Sequence, residues 1–350
     1  MVAQMRQGTD PGIANKSDHQ QVGNPAQEQS YWKNAVAGLS GGFVSAVVMH
    51  PLDVVNTRFQ VQDGKLSHIP VYRSTAHAIV TIVKTEGPAS LYAGLGPNLV
   101  GSTVSWGCYF YGYKRLREFA SSHLPRPKDA VGMSHLGPGV NLACATAAGV
   151  VTAAITQPIW LAKVRLQLQH GSGFQYNGMH HVMTSVVQHE GLFALWRGLL
   201  PSLLLVSHVS IHFAVYEEIK KLVLPYGPTE DRLYAWQTFL VGSTAKMFSS
   251  VLTYPFQVIR SRMQQLDPTV VAERLKQMNQ NTEEVAVNFQ LERNRRYYRG
   301  PVDTVSKIFH GEGLQGFYKG LGSNLLRVVP TAAITFVVYE YVTMMLGASS

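Results

Sequence analysis

One proline-centred segment occurs three times, and this repetition limits the fold more than any other feature of the chain. The copies read PLDVVNTR from Pro51, PIWLAKVR from Pro158 and PFQVIRSR from Pro255, 107 and 97 residues apart. A second element follows each: EGPASLYAG from Glu86, EGLFALWRG from Glu190 and EGLQGFYKG from Glu312. A third follows in turn: FYGYKR from Phe110, VYEEIK from Val215 and VYEYVT from Val338. Three markers in one order, three times over, describe a repeated structural unit whose copies share a common core.

Apolar stretches of 17–20 residues flank the markers. Asn34–His50, Gly139–Gln157 and Ala235–Tyr254 precede the prolines; Leu95–Tyr113, Leu199–Val215 and Leu321–Val338 follow the EG elements. At 1.5 Å per residue such helices match a bilayer core of about 30 Å. Charged residues are 15% of the 350, below the roughly 25% of soluble proteins. Yet mean hydropathy is close to zero. Helices apolar outside and polar inside reconcile the two. The pattern therefore predicts an all-α membrane protein of six transmembrane helices, with short helices over His77–Lys84, His181–His189 and Val302–His310. Small residues thirteen and nine before the prolines, Gly38 with Gly42 and Ala145 with Gly149, predict close helix packing. In the third copy the pair is Gly242 and Lys246, a lysine in a small residue's place.

The repeats are expected over 31–125, 134–226 and 233–347, after a polar tail, 1–30, read as disordered. The third carries a polar loop insertion of about 265–296: proline to EG is 57 residues there, against 35 and 32. A net charge of +9 points to an anionic partner, and no Lys/Arg-rich tract suggests nucleic acid. Cys108 and Cys144 are too few for a disulfide scaffold. No nucleophile with a matching base, P-loop or GxGxxG is visible, so transport is expected rather than catalysis.

The triplicated PxDxxKxR-like and EG-x4-aromatic-basic-Gly elements resemble the mitochondrial carrier family over residues 31–345. The resemblance implies a threefold pseudo-symmetric bundle around a central cavity, acting as a monomer in the mitochondrial inner membrane. It places both termini towards the intermembrane space and the short helices in the matrix. Pro51, Pro158 and Pro255 kink the odd-numbered helices so that their ends converge. In the family's pattern the acid after each proline pairs with the next copy's base to close a matrix gate. Here Asp53 faces Lys163, but Trp160 and Gln257 hold the other acid positions, Asn56 one basic position, and Arg260 has no carboxylate. The cytosolic gate is thinned likewise: Glu340 is expected to pair with Arg115, while Gly112 and Thr343 leave Glu217 and Lys220 unmatched. Thin gates imply a low barrier to switching.

PIW resembles the subset of the family that carries dinucleotides, folate and pyrimidine nucleotides. YPFQVIRSR, SWGCYF from Ser105 and NLLRVVP from Asn324 are similar to its FAD and folate branch. FAD is thus the first expected solute, folate the second, NAD or a pyrimidine nucleotide the third. A carrier turned non-transporting scaffold is the rival of a different class. Charges inside a membrane bundle mark function. Lys246 and Arg327 are therefore the expected anion ligands, with Leu99, Leu204 and Leu205 as an apolar shelf, and Trp106 stacking on a ring. Trp160 reads equally as a bulky ring filling the space where helices converge. His208 and His212 share a helix face and are expected as polar cavity wall, without a metal or cofactor. Cardiolipin is implied at the short-helix starts, Tyr176 with Gly178 and Tyr298 with Gly300, and at Gly198 and Gly320. The first copy, with Ser74 and Ala93 at the matching places, is degraded.

Overall fold

The computed structural model describes residues 25–62, 71–123, 137–169, 176–226, 233–265, 298 and 300–347. The expected tail as far as residue 24, and the insertion beyond 265, lie outside them. All regular structure among the described residues is helical. The first repeat contributes α1 (Pro25–Val61), α2 (Thr75–Glu86) and α3 (Leu95–His123). The second contributes α4 (Pro138–Leu168), α5 (Met179–Glu190), α6 (Leu199–Leu204) and α7 (Ser207–Val223). The third contributes α8 (Ala235–Gln264), α9 (Pro301–Glu312) and α10 (Leu321–Met345). Residues 25–30, read from the sequence as tail, are helical.

Among the described residues four segments are long and apolar enough to cross a membrane: Trp32–Val61, Gly139–Leu168, Leu192–Tyr226 and Leu314–Met345. The other long helices, α3 and α8, are diluted by polar side chains such as Lys114, Arg115, Arg117, Lys246 and Arg260. Each motif proline lies inside its helix, where the backbone ladder is interrupted.

Buried apolar clusters sit at one end of the bundle, under the short helices. Val55, Tyr72 and Ile82 form one, Leu161, Tyr176 and Val182 a second, and Tyr254, Val258 and Ile308 a third. Higher up, large apolar residues such as Leu39, Phe43 and Ile155 stay exposed, as in helices with an apolar outer face.

A chain of arginines closes the three repeats into a ring. Seven residues after each proline, Arg58, Arg165 and Arg262 grip the EG glutamates Glu86, Glu190 and Glu312 of their own repeat with both guanidinium amino groups. Each Nε donates instead to the next repeat's backbone: Arg58 to Gln167 at 3.1 Å, Arg165 to Gln264 at 3.4 Å, and Arg262 back to Gln60 at 3.0 Å. These pairs are buried, with both arms of each fork satisfied, the geometry in which an ion pair withstands desolvation. Gly320 marks the tightest seam. It is left-handed (φ 87°), and a Cβ there would stand 2.7 Å from Tyr254 Oη and 2.9 Å from Asn56 Oδ1. Gly94 and Gly198 abut the next repeat's Lys163 and Arg260 in the same way.

In the second copy Gly149 packs closely as expected, a Cβ there standing 3.1 Å from Val206 Cγ1, but in the first copy the packing register differs from expectation by one residue. Gly38 and Gly42 have nothing within 4 Å of a built Cβ. The buried positions lie fourteen and ten residues before the prolines: Ala37 and Gly41, Cys144 and Ala148, Val241 and Ala245. A Cβ on Gly41 would stand 2.8 Å from the Thr335 carbonyl of α10. Lys246, one residue on, therefore replaces no packing residue; it faces the cavity.

Candidate cavity and gate

The bundle encloses an upper cavity of about 1150 Å³. Its floor carries His50, Asp53, Lys246 and Arg327, and its mouth carries Trp236, Phe239, Phe336 and Tyr339. Beneath lies a chamber of about 300 Å³ lined by Asn56, Trp160, Lys163, Leu205, His208, Gln257 and Arg260. Asp53 and Arg327 line both, so they form the partition.

Among the described residues Asp53 is the only carboxylate lining either space, and it holds two cations. Lys163 Nζ lies 2.7 Å from Oδ2 and Arg327 lies 2.5 Å from Oδ1. Gln167 Nε2 adds a bond to Oδ2 at 3.1 Å. Arg327, read from the sequence as a solute ligand, is thus also part of the partition, and its second amino group donates to Asn324 Oδ1 at 3.2 Å. Lys246 makes no hydrogen bond or ion pair among the described residues and stands exposed in the cavity.

Trp160 does more than fill space. Its ring lies 5.5 Å from Lys163 Nζ and 5.7 Å from the Arg260 guanidinium. The negative face of the indole stands where the family pattern has an acid, and it serves the same Arg260. Asn56 lines the same chamber as Gln257, and its Oδ1 accepts from Tyr254 Oη at 2.9 Å.

At the mouth the expected Arg115–Glu340 pair is not formed. Arg115 turns to Tyr111 Oη at 3.3 Å and Glu118 at 3.5 Å on its own helix. Glu217, Lys220 and Glu340 have no ion pair among the described residues. The partition is closed and the mouth open, so the outer partners stand apart.

Other expected positions divide. Leu205 reaches the lower chamber and His208 bonds Thr253 Oγ1 at 2.9 Å beside it. Leu204 is exposed, and neither it nor Leu99 lines either of these two spaces; Asn98 lines the upper one instead. Trp106 is 62% exposed and stacks on Phe110 one turn along its own helix, away from both spaces. Tyr176 is buried in its cluster, and Tyr298 Oη accepts from Arg262 at 3.3 Å, so both rings turn inward. Gly178 and Gly300 cap α5 and α9, and Ser74 caps α2 through its hydroxyl.

Sequence reasoning missed the Arg–Glu forks, Gln167 and the aromatic mouth. The forks had a readable signal, since both partners recur in all three copies at fixed places in the motifs.

The sequence profile of the mitochondrial carrier proteins matches residues 27–124, 134–227 and 231–350. A chloroplastic folate transporter of Arabidopsis thaliana is 40% identical over 90% of this chain and 96% of its own length. A mitochondrial nicotinamide adenine dinucleotide transporter of Saccharomyces cerevisiae is 33% identical over 88% of this chain and 75% of its own. A mitochondrial FAD carrier of the same yeast is 29% identical over 88% and 95%. With three matched copies of the profile and relatives similar along most of its length, the chain belongs to the mitochondrial carrier family.

Proposed function

We propose that this carrier moves an anionic solute bearing a heteroaromatic ring across an organelle membrane. All six long helices span that membrane, and the cavity is exposed to each side in turn. Folate is the first solute to test and FAD the second, because a relative named for folate is the more similar of the two. NAD and pyrimidine nucleotides follow. The observation that carries the reading is Lys246, unpaired among the described residues, beside Arg327 on the floor of an open cavity where the only carboxylate among those residues is engaged by two cations. An anion entering from the mouth meets positive charge without competing acids.

The mitochondrial inner membrane is the proposed location, with the mouth and both termini towards the intermembrane space. The relatives' named locations, mitochondrial and chloroplastic, support an organelle membrane in general. The protein acts as a monomer. Cardiolipin phosphates bind at the helix starts through the backbone of Gly178 and Gly300, since the tyrosine rings are engaged within the protein.

Purified protein in liposomes, offered folate, FAD, NAD and a pyrimidine nucleotide, tests the reading. Uptake of at least one is expected, reduced about tenfold or more by Lys246→Gln, as for loss of a charge-assisted bond. Uptake of none by protein that unfolds cooperatively on heating refutes it and favours the scaffold reading.

A further inference from the structure

The two ends of the upper cavity differ in chemistry, and their separation can be read along the helices. Lys246 lies seven residues from Phe239 and ten from Trp236 on α8. At 1.5 Å per residue the aromatic mouth stands about 10–15 Å above the lysine. On α10, Arg327 lies nine residues from Phe336 and twelve from Tyr339, the same scale of separation. Trp236 and Phe336 are 62% and 51% exposed, so their faces are open to a stacking partner.

We infer that the carrier holds its solute in one orientation, with the negative end on Lys246 and Arg327 and the fused ring among Trp236, Phe239, Phe336 and Tyr339 at the mouth. This rests on the reading of an anionic, ring-bearing solute. It narrows that reading to solutes whose charge sits at one end, separated from the ring by a stiff spacer, as in folate. A dinucleotide carries its charge between two rings, and one ring would then have to lie in the polar floor. Tryptophan at a membrane–water boundary is also an ordinary anchor. The test must therefore separate ring binding from anchoring.

p-Aminobenzoylglutamate keeps folate's charged end and spacer but lacks the fused ring. In liposomes, folate uptake and its inhibition by p-aminobenzoylglutamate are compared for wild type, Trp236→Ala, Phe239→Leu and Lys246→Gln. The expected result is a roughly tenfold higher KM for folate in the two aromatic variants, the scale of one lost stacking contact. Their inhibition constant for p-aminobenzoylglutamate stays within twofold of wild type, while Lys246→Gln weakens both ligands. Equal weakening of both by the aromatic variants, or no change in either, overturns the orientation while leaving transport intact. Wild-type protein that carries a dinucleotide but no folate also overturns it. If Trp236→Ala does not fold, Phe239→Leu carries the same comparison. Wild-type protein that moves no solute refutes the transport reading itself.

Discussion

Replacing Trp160 by aspartate tests whether the indole acts as a gate element. The ring has a cation on each side, Lys163 at 5.5 Å and Arg260 at 5.7 Å. Each contact is worth about 0.5–2 kcal/mol when partly desolvated, so the indole contributes about 1–4 kcal/mol to the closed partition. The Arg260 Nε is buried without a hydrogen-bond partner among the described residues. Breaking a buried pair costs about 3–5 kcal/mol, and supplying one to an unpaired charge recovers a comparable amount. The difference predicts that Trp160→Asp stabilises the mouth-open form by about 1–2 kcal/mol, after allowing for the space the indole leaves beside Gly101. At 1.36 kcal/mol per decade this slows exchange roughly 5- to 30-fold. The assay is solute exchange in liposomes at saturating concentration, with thermal unfolding as the control for folding. Trp160→Phe keeps an aromatic face and should stay nearer wild type. Exchange that is unchanged or faster in cooperatively folded Trp160→Asp refutes the argument.

Gly320→Ala should destabilise the protein by at least 1–2 kcal/mol, the order of the left-handed backbone cost alone, before the clash with Tyr254 is added. A wild-type melting temperature would contradict this close approach. Acid should loosen the third repeat: burial pushes the Glu312 carboxyl up, but hydrogen bonds and charge from Arg262 and Lys319 outweigh it and leave the pKa below its ordinary value. A lowered pKa gives stability that is complete above the ordinary carboxylate range and is lost as pH falls through the lowered value. Melting temperature against pH should therefore fall less steeply in Glu312→Gln than in wild type, although the variant is less stable at neutral pH; parallel curves would sink the assignment.

The repeat, the helices and the family were legible because each copy restates the same signals. Partnership across copies was not. Asp53 opposite Lys163 could be inferred only through the family pattern, and the second cation on Asp53 comes from a residue 274 positions away. The packing register slipped because α1 carries small residues in adjacent rows, Ala37 beside Gly38 and Gly41 beside Gly42, and composition cannot choose between rows. Trp106 was misassigned for a related reason: a tryptophan in an apolar run announces its size, not the side of the helix on which it stands. Trp160 was placed by its motif, but its contact with Arg260 bridges two repeats and had no local signature.

The circular chain of Arg58, Arg165 and Arg262 bears on how this end of the molecule can come apart. Each guanidinium ties its own short helix to its repeat through the glutamate and leans on the next repeat only through Nε. The arginine's hold within a unit is therefore a forked ion pair and its hold on the next unit a single bond, so most of what joins the units comes from the contacts of Asp53, Asn56, Gln60 and Trp160. Such a ring parts as three stiff blades of an iris, each unit moving whole, with the seam between the second and third units, which has no ion pair among the described residues, the first to slip.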